Sequence, residues 1–254
     1  MCLVNFQYSQ HPVYSLIVAA NRDEFYDRPT APAHFWSDFP LVLAGRDLLQ
    51  MGTWLGISKN GRFAALTNYR DPTQKDGKYS RGNIVKDFLI SNERPSDYID
   101  QLSKNHDSYG GFNILLANDQ QFFHYNNMLD EKNEIPPGTH SLSNHTLNTP
   151  WPKAQRGKKE LNEYLQTHPS HVCPKEIFNI LANEEVAEDQ FLPSTGVDLE
   201  LERALSPLFI KTPHYGTRSS TVLMVDREKN VQFIERSYRN GRFLSECQYT
   251  FKIK

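Results

Sequence analysis

The sequence predicts an α+β protein with two antiparallel sheets and outer helices. Three observations support this fold class: strand patterns dominate both ends of the chain, helical patterns are grouped between them, and short turns join neighbouring strands. Among the 254 residues, 15 Phe, 12 Tyr and 3 Trp supply bulky side chains for a folded core. We therefore predict a single domain over residues 1–254.

The start of the chain predicts a β-hairpin that brings polar residues to the N-terminus. Residues 2–8 alternate between the two faces of a half-buried strand, and residues 14–20 are nearly all apolar. The turn residues between them, which include Pro12, favour antiparallel pairing. That pairing places Arg22 and Asp23, which follow the second strand, close to Cys2.

The rest of the chain continues with short strands and grouped helices. A Pro-rich loop lies near residues 29–32, and Asn60-Gly61 is a strong hairpin turn signal. Further strands are predicted at 41–43, 53–58, 62–68, 112–117, 121–125, 140–144, 220–225, 231–238 and 248–253. Helices are predicted at 82–91, 96–104 with a Ser96 cap, 153–166, 174–181 and 198–205.

Composition argues against several classes of partner. The 28 Lys and Arg nearly balance the 30 Asp and Glu, which gives a net charge of −2 and argues against nucleic-acid binding. The basic stretch at residues 153–159 is interpreted as the solvated face of a helix. No signal peptide is evident, and no apolar run approaches the roughly 20 residues of a transmembrane segment. Cys2, Cys173 and Cys247 have no metal-type spacing and favour a reducing, cytoplasmic location.

Cys2 is the candidate nucleophile. Removal of Met1 would leave one residue that carries both a thiol and a free α-amine, and so both a nucleophile and a general base. A nearby Arg22 would favour the thiolate, and Asp23 would orient the amine through hydrogen bonds. An Asn side-chain amide can stabilise the oxyanion that such chemistry forms.

Several motifs occur in the order found in the NRDE family, also called transport and Golgi organisation 2, which this chain resembles over residues 1–221. The matching motifs are Asn21-Arg22-Asp23-Glu24, Gly52-Thr53-Trp54-Leu55-Gly56, Thr67-Asn68-Tyr69-Arg70, Leu142-Ser143-Asn144 with Trp151-Pro152-Lys153, and Tyr215-Gly216-Thr217-Arg218-Ser219-Ser220-Thr221. The pattern departs from the family at Met51, where a second glycine is expected beside Gly52. The departure concerns the backbone shape of that turn.

The layout is also similar, more distantly, to cysteine-type N-terminal-nucleophile amidohydrolases such as penicillin V acylase and bile salt hydrolase. That resemblance implies a four-layer αββα sandwich of two antiparallel sheets. By position it implies the following catalytic residues and roles: Cys2 as nucleophile, Arg22 and Asp23 as its activators, Asn68 and Asn144 as oxyanion or amine-orienting groups, and Arg218 as a late-strand cation. Asn21, Trp54 and Tyr69 are added as candidates for substrate binding.

Each candidate has a structural alternative. Arg22 and Asp23 can form a surface ion pair at a strand end, and an asparagine such as Asn68 or Asn144 commonly serves in a turn. Trp54 and Tyr69 suit packing better than stacking on a substrate. Arg218 can equally bind a carboxylate or phosphate through its guanidinium group. His168 and His171 have metal-like spacing, but no carboxylate or cysteine pattern accompanies them, so no metal site is predicted.

Two functions follow from these residues. The first is a cysteine amidohydrolase that cleaves a linear amide or a thioester of a small molecule through an acyl-Cys2 intermediate, without a cofactor. The second, implied by the family resemblance, is a non-catalytic carrier of lipid or haem linked to membrane trafficking, in which Cys2 would ligate haem iron or line a pocket. The sequence assigns neither a substrate nor an oligomeric state.

Overall fold

A computed structural model describes residues 2–73 and 77–254 of the chain, and these residues form two antiparallel sheets with α-helices. The strands are β1 Cys2–Tyr8, β2 Tyr14–Phe25, β3 Thr30–Phe35, β4 Val42–Asp47, β5 Leu55–Ser58, β6 Phe63–Asn68, β7 Phe112–Ala117, β8 Phe122–Asn126, β9 Glu131–Glu134, β10 Gly138–Leu142, β11 Tyr215–Asp226, β12 Asn230–Arg239 and β13 Arg242–Lys252. The helices are α1 Arg81–Ile90, α2 Pro95–Leu102, α3 Pro152–Thr167, α4 Pro174–Leu181 and α5 Leu199–Ala204. This architecture confirms the predicted α+β class.

The chain divides into two compact units, each with its own sheet. The first unit comprises Met1–Asp27, Pro136–Ser143 and Leu147–Phe251, and its sheet has the order β10-β1-β2-β11-β12-β13. The second unit comprises Arg28–Ile135, Asn144–Thr146 and Lys252–Lys254, and its sheet runs in sequence order from β3 to β9. The single domain over residues 1–254 stays a prediction.

In the first unit, helices cover one face of the sheet. Ile17 and Ala19 of β2 are fully buried and pack in one cluster with Leu161 of α3 and Ile177 of α4. Because side chains alternate along a strand, residues at odd positions of this part of β2 face the helices. Asn21 continues the pattern and reaches the carbonyl of Leu181, the last residue of α4.

The helix α3 lies directly on β1 at Gly157. A Cβ atom at this position would collide with the side-chain amide of Asn5 and come within 2.9 Å of its Cγ. Asn5 is fully buried, so its side chain has little room to move. The absence of a side chain at Gly157 therefore sets how closely α3 approaches the strand that begins at Cys2.

Gly157→Ala should destabilise the protein, although alanine has the higher helix propensity by about 1 kcal/mol. Overpacking against Asn5 is expected to outweigh that gain and to lower the free energy of unfolding by about 1–3 kcal/mol. Urea denaturation measures the difference. Gln166→Ala, on the exposed side of the same helix, is the matched control and should change stability by less than about 0.5 kcal/mol. An increase in stability for Gly157→Ala would contradict this packing argument.

In the second unit, α1 and α2 cover one face of the sheet. Phe88 of α1 is fully buried against Leu66, Ile114 and Tyr125, which come from three neighbouring strands. The turn between β5 and β6 has Gly61 at a φ of 76°, a positive value that glycine adopts without strain. The hairpin predicted from Asn60-Gly61 is therefore present.

The structure differs from the sequence prediction in several elements. β2 continues to Phe25 and β11 begins at Tyr215, so both strands are longer than their apolar runs. The predicted Pro-rich loop contains β3, which lies at the edge of its sheet, where the missing N–H of a proline is tolerated. Ser96 does not cap α2: the cap is Arg94, and Pro95 occupies the first turn, where its fixed φ suits a helix.

Candidate active site

The β1–β2 hairpin places Cys2 directly opposite Arg22, as the sequence predicts. On its other side β2 pairs with β11, where Asp23 lies opposite Thr217 and Arg22 lies opposite Ser219. The register shifts between these two positions, because one extra residue, Arg218, bulges from β11. Three strands therefore bring Cys2, Arg22, Asp23 and Arg218 to one end of the first unit's sheet. The predicted loss of Met1 concerns a residue outside the described ranges.

Asp23 is a carboxylate held inside the protein, with only 2% of its surface exposed. The Thr217 hydroxyl donates a hydrogen bond of 2.8 Å to Asp23 Oδ1, and the Tyr215 hydroxyl donates one of 2.9 Å to the Asp23 carbonyl. Burial raises the pKa of the Asp23 carboxyl, whereas the charge of Lys153 is foremost among the influences that lower it. This carboxylate is therefore fixed in place, and its ionisation depends on nearby positive charge.

The thiol of Cys2 lies beside the backbone of Asp23. The Asp23 N–H donates a hydrogen bond to the thiol, and the Ser143 hydroxyl donates one of 3.3 Å to the Cys2 carbonyl. Burial raises the pKa of the thiol, and the charge of Asp23 also raises it, while Arg22 lowers it. The charge of Arg22 thus acts in favour of the thiolate, but burial outweighs it. A thiol in this environment needs a base to remove its proton.

The two arginines have defined partners. The Arg22 side chain is only 6% exposed, and its Nη2 lies 3.7 Å from Glu24 Oε2. Arg218 Nη1 donates a hydrogen bond of 2.7 Å to the carbonyl of Phe25. Burial and then the charge of Arg22 lower the pKa of Arg218, which shows that the two guanidinium groups influence each other. This end of the sheet therefore carries two arginines together with the carboxylates of Asp23 and Glu24.

Asn21 has a packing role in the structure. Its Nδ2 donates hydrogen bonds of 2.9 Å and 2.8 Å to the carbonyls of Leu181 and Leu208, and its Oδ1 accepts one of 2.6 Å from Ser220. Both amide hydrogens are thus used inside the first unit, so Asn21 has none to donate to a substrate.

Asn68 and Asn144 lie together in the second unit. Asn144 Nδ2 donates a hydrogen bond of 2.9 Å to the carbonyl of Asn68, and the Arg70 N–H donates one of 2.7 Å to the carbonyl of Asn144. Asn144 is fully buried, whereas Asn68 is half-buried at the end of β6. The loop containing Asn144 is therefore bound to the end of this strand.

The two aromatic candidates also lie in the second unit. The ring of Tyr69 lies 5.1 Å from that of His145, and Trp54 packs so closely on Gly45 that no Cβ would fit there. Met51, where the family pattern has glycine, adopts a φ of 58°. The turn therefore keeps the left-handed backbone that glycine favours, and the methionine is strained there.

Lys153 is buried in the structure, whereas the sequence predicts a solvated helix face for the basic stretch at residues 153–159. Lys158 and Lys159 fit that interpretation, but Lys153 is only 2% exposed. A signal was present, because Lys153 precedes Gly157, Leu161 and Leu165 at intervals of four and so begins the apolar stripe of α3.

Three further structural findings concern metals, membranes and disulfides. Within residues 2–73 and 77–254, no group of three His, Cys, Asp or Glu side chains is placed to hold a metal ion. None of the described helices has the length and apolar character that crossing a bilayer demands. No disulfide joins the three cysteines, all of which lie in the described ranges.

The two sheets and the hairpin at Cys2 define the class of this protein: an α+β protein with the N-terminal-nucleophile hydrolase fold. A mutant of the conjugated bile acid hydrolase from Clostridium perfringens has a similar structure, with a TM-score of 0.56 over 100% of this chain and 97% of that one. The two sequences are only 8% identical, so the likeness shows the fold alone. It confirms the two antiparallel sheets with helices that the more distant resemblance implies, whereas the four-layer arrangement stays a prediction.

The family follows from the sequence comparisons. The model of the family described as Transport and Golgi organisation 2 matches residues 1–240. The Transport and Golgi organization 2 homologs of Mus musculus and Homo sapiens are each 35% identical to this chain, with 93% of both chains covered. The chain therefore belongs to the Transport and Golgi organisation 2 family, as its motifs predict.

Proposed function

We propose that this chain is a cysteine amidohydrolase that cleaves a linear amide, or a thioester, of a small molecule through an acyl-Cys2 intermediate after removal of Met1. One observation carries the proposal: the strand register that sets Cys2 opposite Arg22 and beside the buried carboxylate of Asp23. The hydrolase fold raises the expectation of catalysis, but a fold alone does not establish a function.

The proposed reaction begins with proton transfer from the Cys2 thiol to the α-amine of the same residue. The sulfur attacks the substrate carbonyl, and a tetrahedral oxyanion forms. When the C–N bond breaks, the ammonium group returns its proton to the leaving amine and the acyl group stays on sulfur. The amine then takes a proton from water, which attacks the thioester and releases a carboxylic acid, and the thiol is restored.

Each remaining candidate has a part in this proposal. Asp23 orients the α-amine, and the positive charge of Arg22 and Arg218 favours the developing anions. The family resemblance assigns the oxyanion donors to Asn68 and Asn144, and we retain that assignment as part of the proposal. The proposed location is the cytoplasm, which the absence of disulfides among the three cysteines supports.

Acyl-amide probes test the proposal directly. We expect a covalent mass increase equal to the acyl group, located on the N-terminal peptide, when the reaction is quenched early. Cys2→Ala should abolish the adduct, whereas Cys173→Ala, a matched change at another half-buried cysteine, should not. Intact mass beforehand establishes whether Met1 has been removed. The absence of an adduct on processed protein, or an adduct that survives Cys2→Ala, would rule the mechanism out.

A second candidate function is suggested by the name of the relatives, which refers to transport and Golgi organisation. In this alternative the chain carries a lipid or haem and does not turn it over, with Cys2 as a thiolate ligand of haem iron. Haem titration of the wild type and of Cys2→Ala distinguishes the two. A Soret spectrum that does not change with the substitution excludes ligation by Cys2.

A further inference from the structure

Lys153 is a buried lysine in an unfavourable position. It is the second residue of α3, where the partial positive charge of the helix N-terminus repels an ammonium group. Lysine is among the residues least often fully buried, because removing its charge from water is costly without a partner. An ammonium group with 2% exposure is therefore favoured only where a negative charge lies nearby.

The packing of α3 shows where this side chain lies. Lys153 is one helical turn before Gly157, so both residues occupy the same face of α3, and Gly157 contacts Asn5 of β1. Ala154, the next residue, packs in one cluster with Leu3. One helical turn advances about 6 Å, close to the length of two strand residues, so Lys153 lies over the beginning of β1.

The end of β2 lies at the same level. Leu3 pairs with Asn21, and Asn21 faces the helices because its amide bonds to the carbonyls of Leu181 and Leu208. Asp23 is two residues further along the strand and therefore faces the same side. The buried side chains of Asp23 and Lys153 therefore lie on the same side of the first unit's sheet.

Several titratable or charged groups among the described residues act on Asp23 or respond to its charge. They include Lys153 on α3, Arg22 on β2, the thiol of Cys2 and the phenol of Tyr26. Burial raises the pKa of the Asp23 carboxyl, and Lys153 opposes the rise more than any other charge. The charge of Lys153 is therefore the one that most favours the ionised form of Asp23.

We propose that Lys153 is a positioning residue that keeps Asp23 ionised, so that Asp23 can hold the α-amine of Cys2. The inference rests on the proposed function for its catalytic meaning, but the effect of the Lys153 charge on Asp23 does not depend on turnover. A neutral Asp23 would offer a weaker acceptor to the ammonium form of the amine, which appears when the thiol loses its proton.

The kinetic test is the pH profile of Lys153→Met. Without the ammonium charge, Asp23 takes up a proton at higher pH, so the acid limb of kcat should move to higher pH and kcat at neutral pH should fall about 10-fold. Activity should recover toward the alkaline side as Asp23 ionises. Lys153→Arg should restore the acid limb toward that of the wild type, and Lys159→Met, at a 73% exposed side chain, should leave it unchanged. If Lys153→Met loses the same fraction of its activity at every pH, Lys153 has only a structural role.

A second measurement separates this inference from the proposed function. Carbon-13 labelling of aspartate carboxyl groups, with Asp23→Asn to assign the signal, follows the titration of Asp23 by NMR. The midpoint should be higher in Lys153→Met than in the wild type and should return toward it in Lys153→Arg. An unchanged midpoint in Lys153→Met would overturn the inference. If the midpoint moves but neither the wild type nor any variant shows turnover, the effect of Lys153 on Asp23 stands and the amidohydrolase proposal fails.

Discussion

Asp23→Asn is expected to lower turnover by about 10²–10⁴-fold while it increases the reactivity of Cys2 toward iodoacetamide. Turnover falls because an amide in place of the carboxylate no longer attracts the ammonium form of the Cys2 amine. Alkylation accelerates because the charge of Asp23 raises the pKa of the thiol, so its removal increases the thiolate fraction at a given pH. The rates of amide hydrolysis and of alkylation, measured on the same sample, provide the test.

The opposite directions of the two rates make this experiment informative. Unfolding of the site would also expose the Cys2 thiol and speed its alkylation, but it would lower the free energy of unfolding. Opposite changes in the two rates at unchanged stability in urea therefore report the loss of a specific charge. Asn is nearly isosteric with Asp, and its Oδ1 can still accept the hydrogen bond that Thr217 donates to Asp23 Oδ1. Asp27→Asn, at an exposed residue after β2, is the matched control and should alter neither rate. If turnover persists in Asp23→Asn, Asp23 does not orient the base.

The hairpin at Cys2 was predictable because its pattern is local. Alternating and apolar runs define the two strands, and antiparallel pairing across a short turn then fixes the partner of Cys2 to within a residue or two. The structure pairs Cys2 with Arg22, which agrees with that expectation. The pairing of β2 with β11 involves residues about 200 positions apart, and no local pattern encodes its register.

The contacts of Asp23 were harder to predict from the sequence than the hairpin at Cys2. Thr217 contacts Asp23 because a bulge at Arg218 shifts the register of β11, and a bulge leaves no clear mark in residue spacing. Lys153 was assigned to solvent because lysines usually lie on exposed faces. Its position at the start of an apolar stripe was visible, but the buried carboxylate that explains it comes from a distant strand.

A buried histidine in the second unit is expected to make the stability of the protein depend strongly on pH. His124 of β8 is 1% exposed, and its Nε2 donates a hydrogen bond of 3.0 Å to Asn113 Oδ1, which also accepts one of 2.8 Å from Asn126 Nδ2. Asn113 Nδ2 in turn donates one of 3.4 Å to the hydroxyl of Thr67, the neighbour of Asn68 on β6. The network therefore supports the strand that carries a proposed oxyanion donor.

Protonation of the buried His124 side chain is expected to lower the free energy of unfolding. Burial lowers its pKa from 6.5 to about 4, and Nδ1, which would receive the proton, has no hydrogen-bond partner among the described residues. Because the folded pKa lies below the unfolded one, the stability contribution is present above about pH 6.5 and is lost as the pH falls through about 4. That shift corresponds to about 3 kcal/mol.

His124→Gln should remove this pH dependence while it keeps a neutral donor for Asn113. Urea denaturation between pH 6.5 and 4 should show that the wild type loses about 3 kcal/mol more stability than the variant, since the other titrating groups are common to both. His171→Gln, at an exposed histidine, should follow the wild type throughout. Equal slopes for the wild type and His124→Gln would mean that His124 takes up its proton as readily in the folded chain as in the unfolded one. In that case His124 and its hydrogen bond to Asn113 would be accessible to water below pH 6.5. Protonation of His124 would then not change the free energy of unfolding.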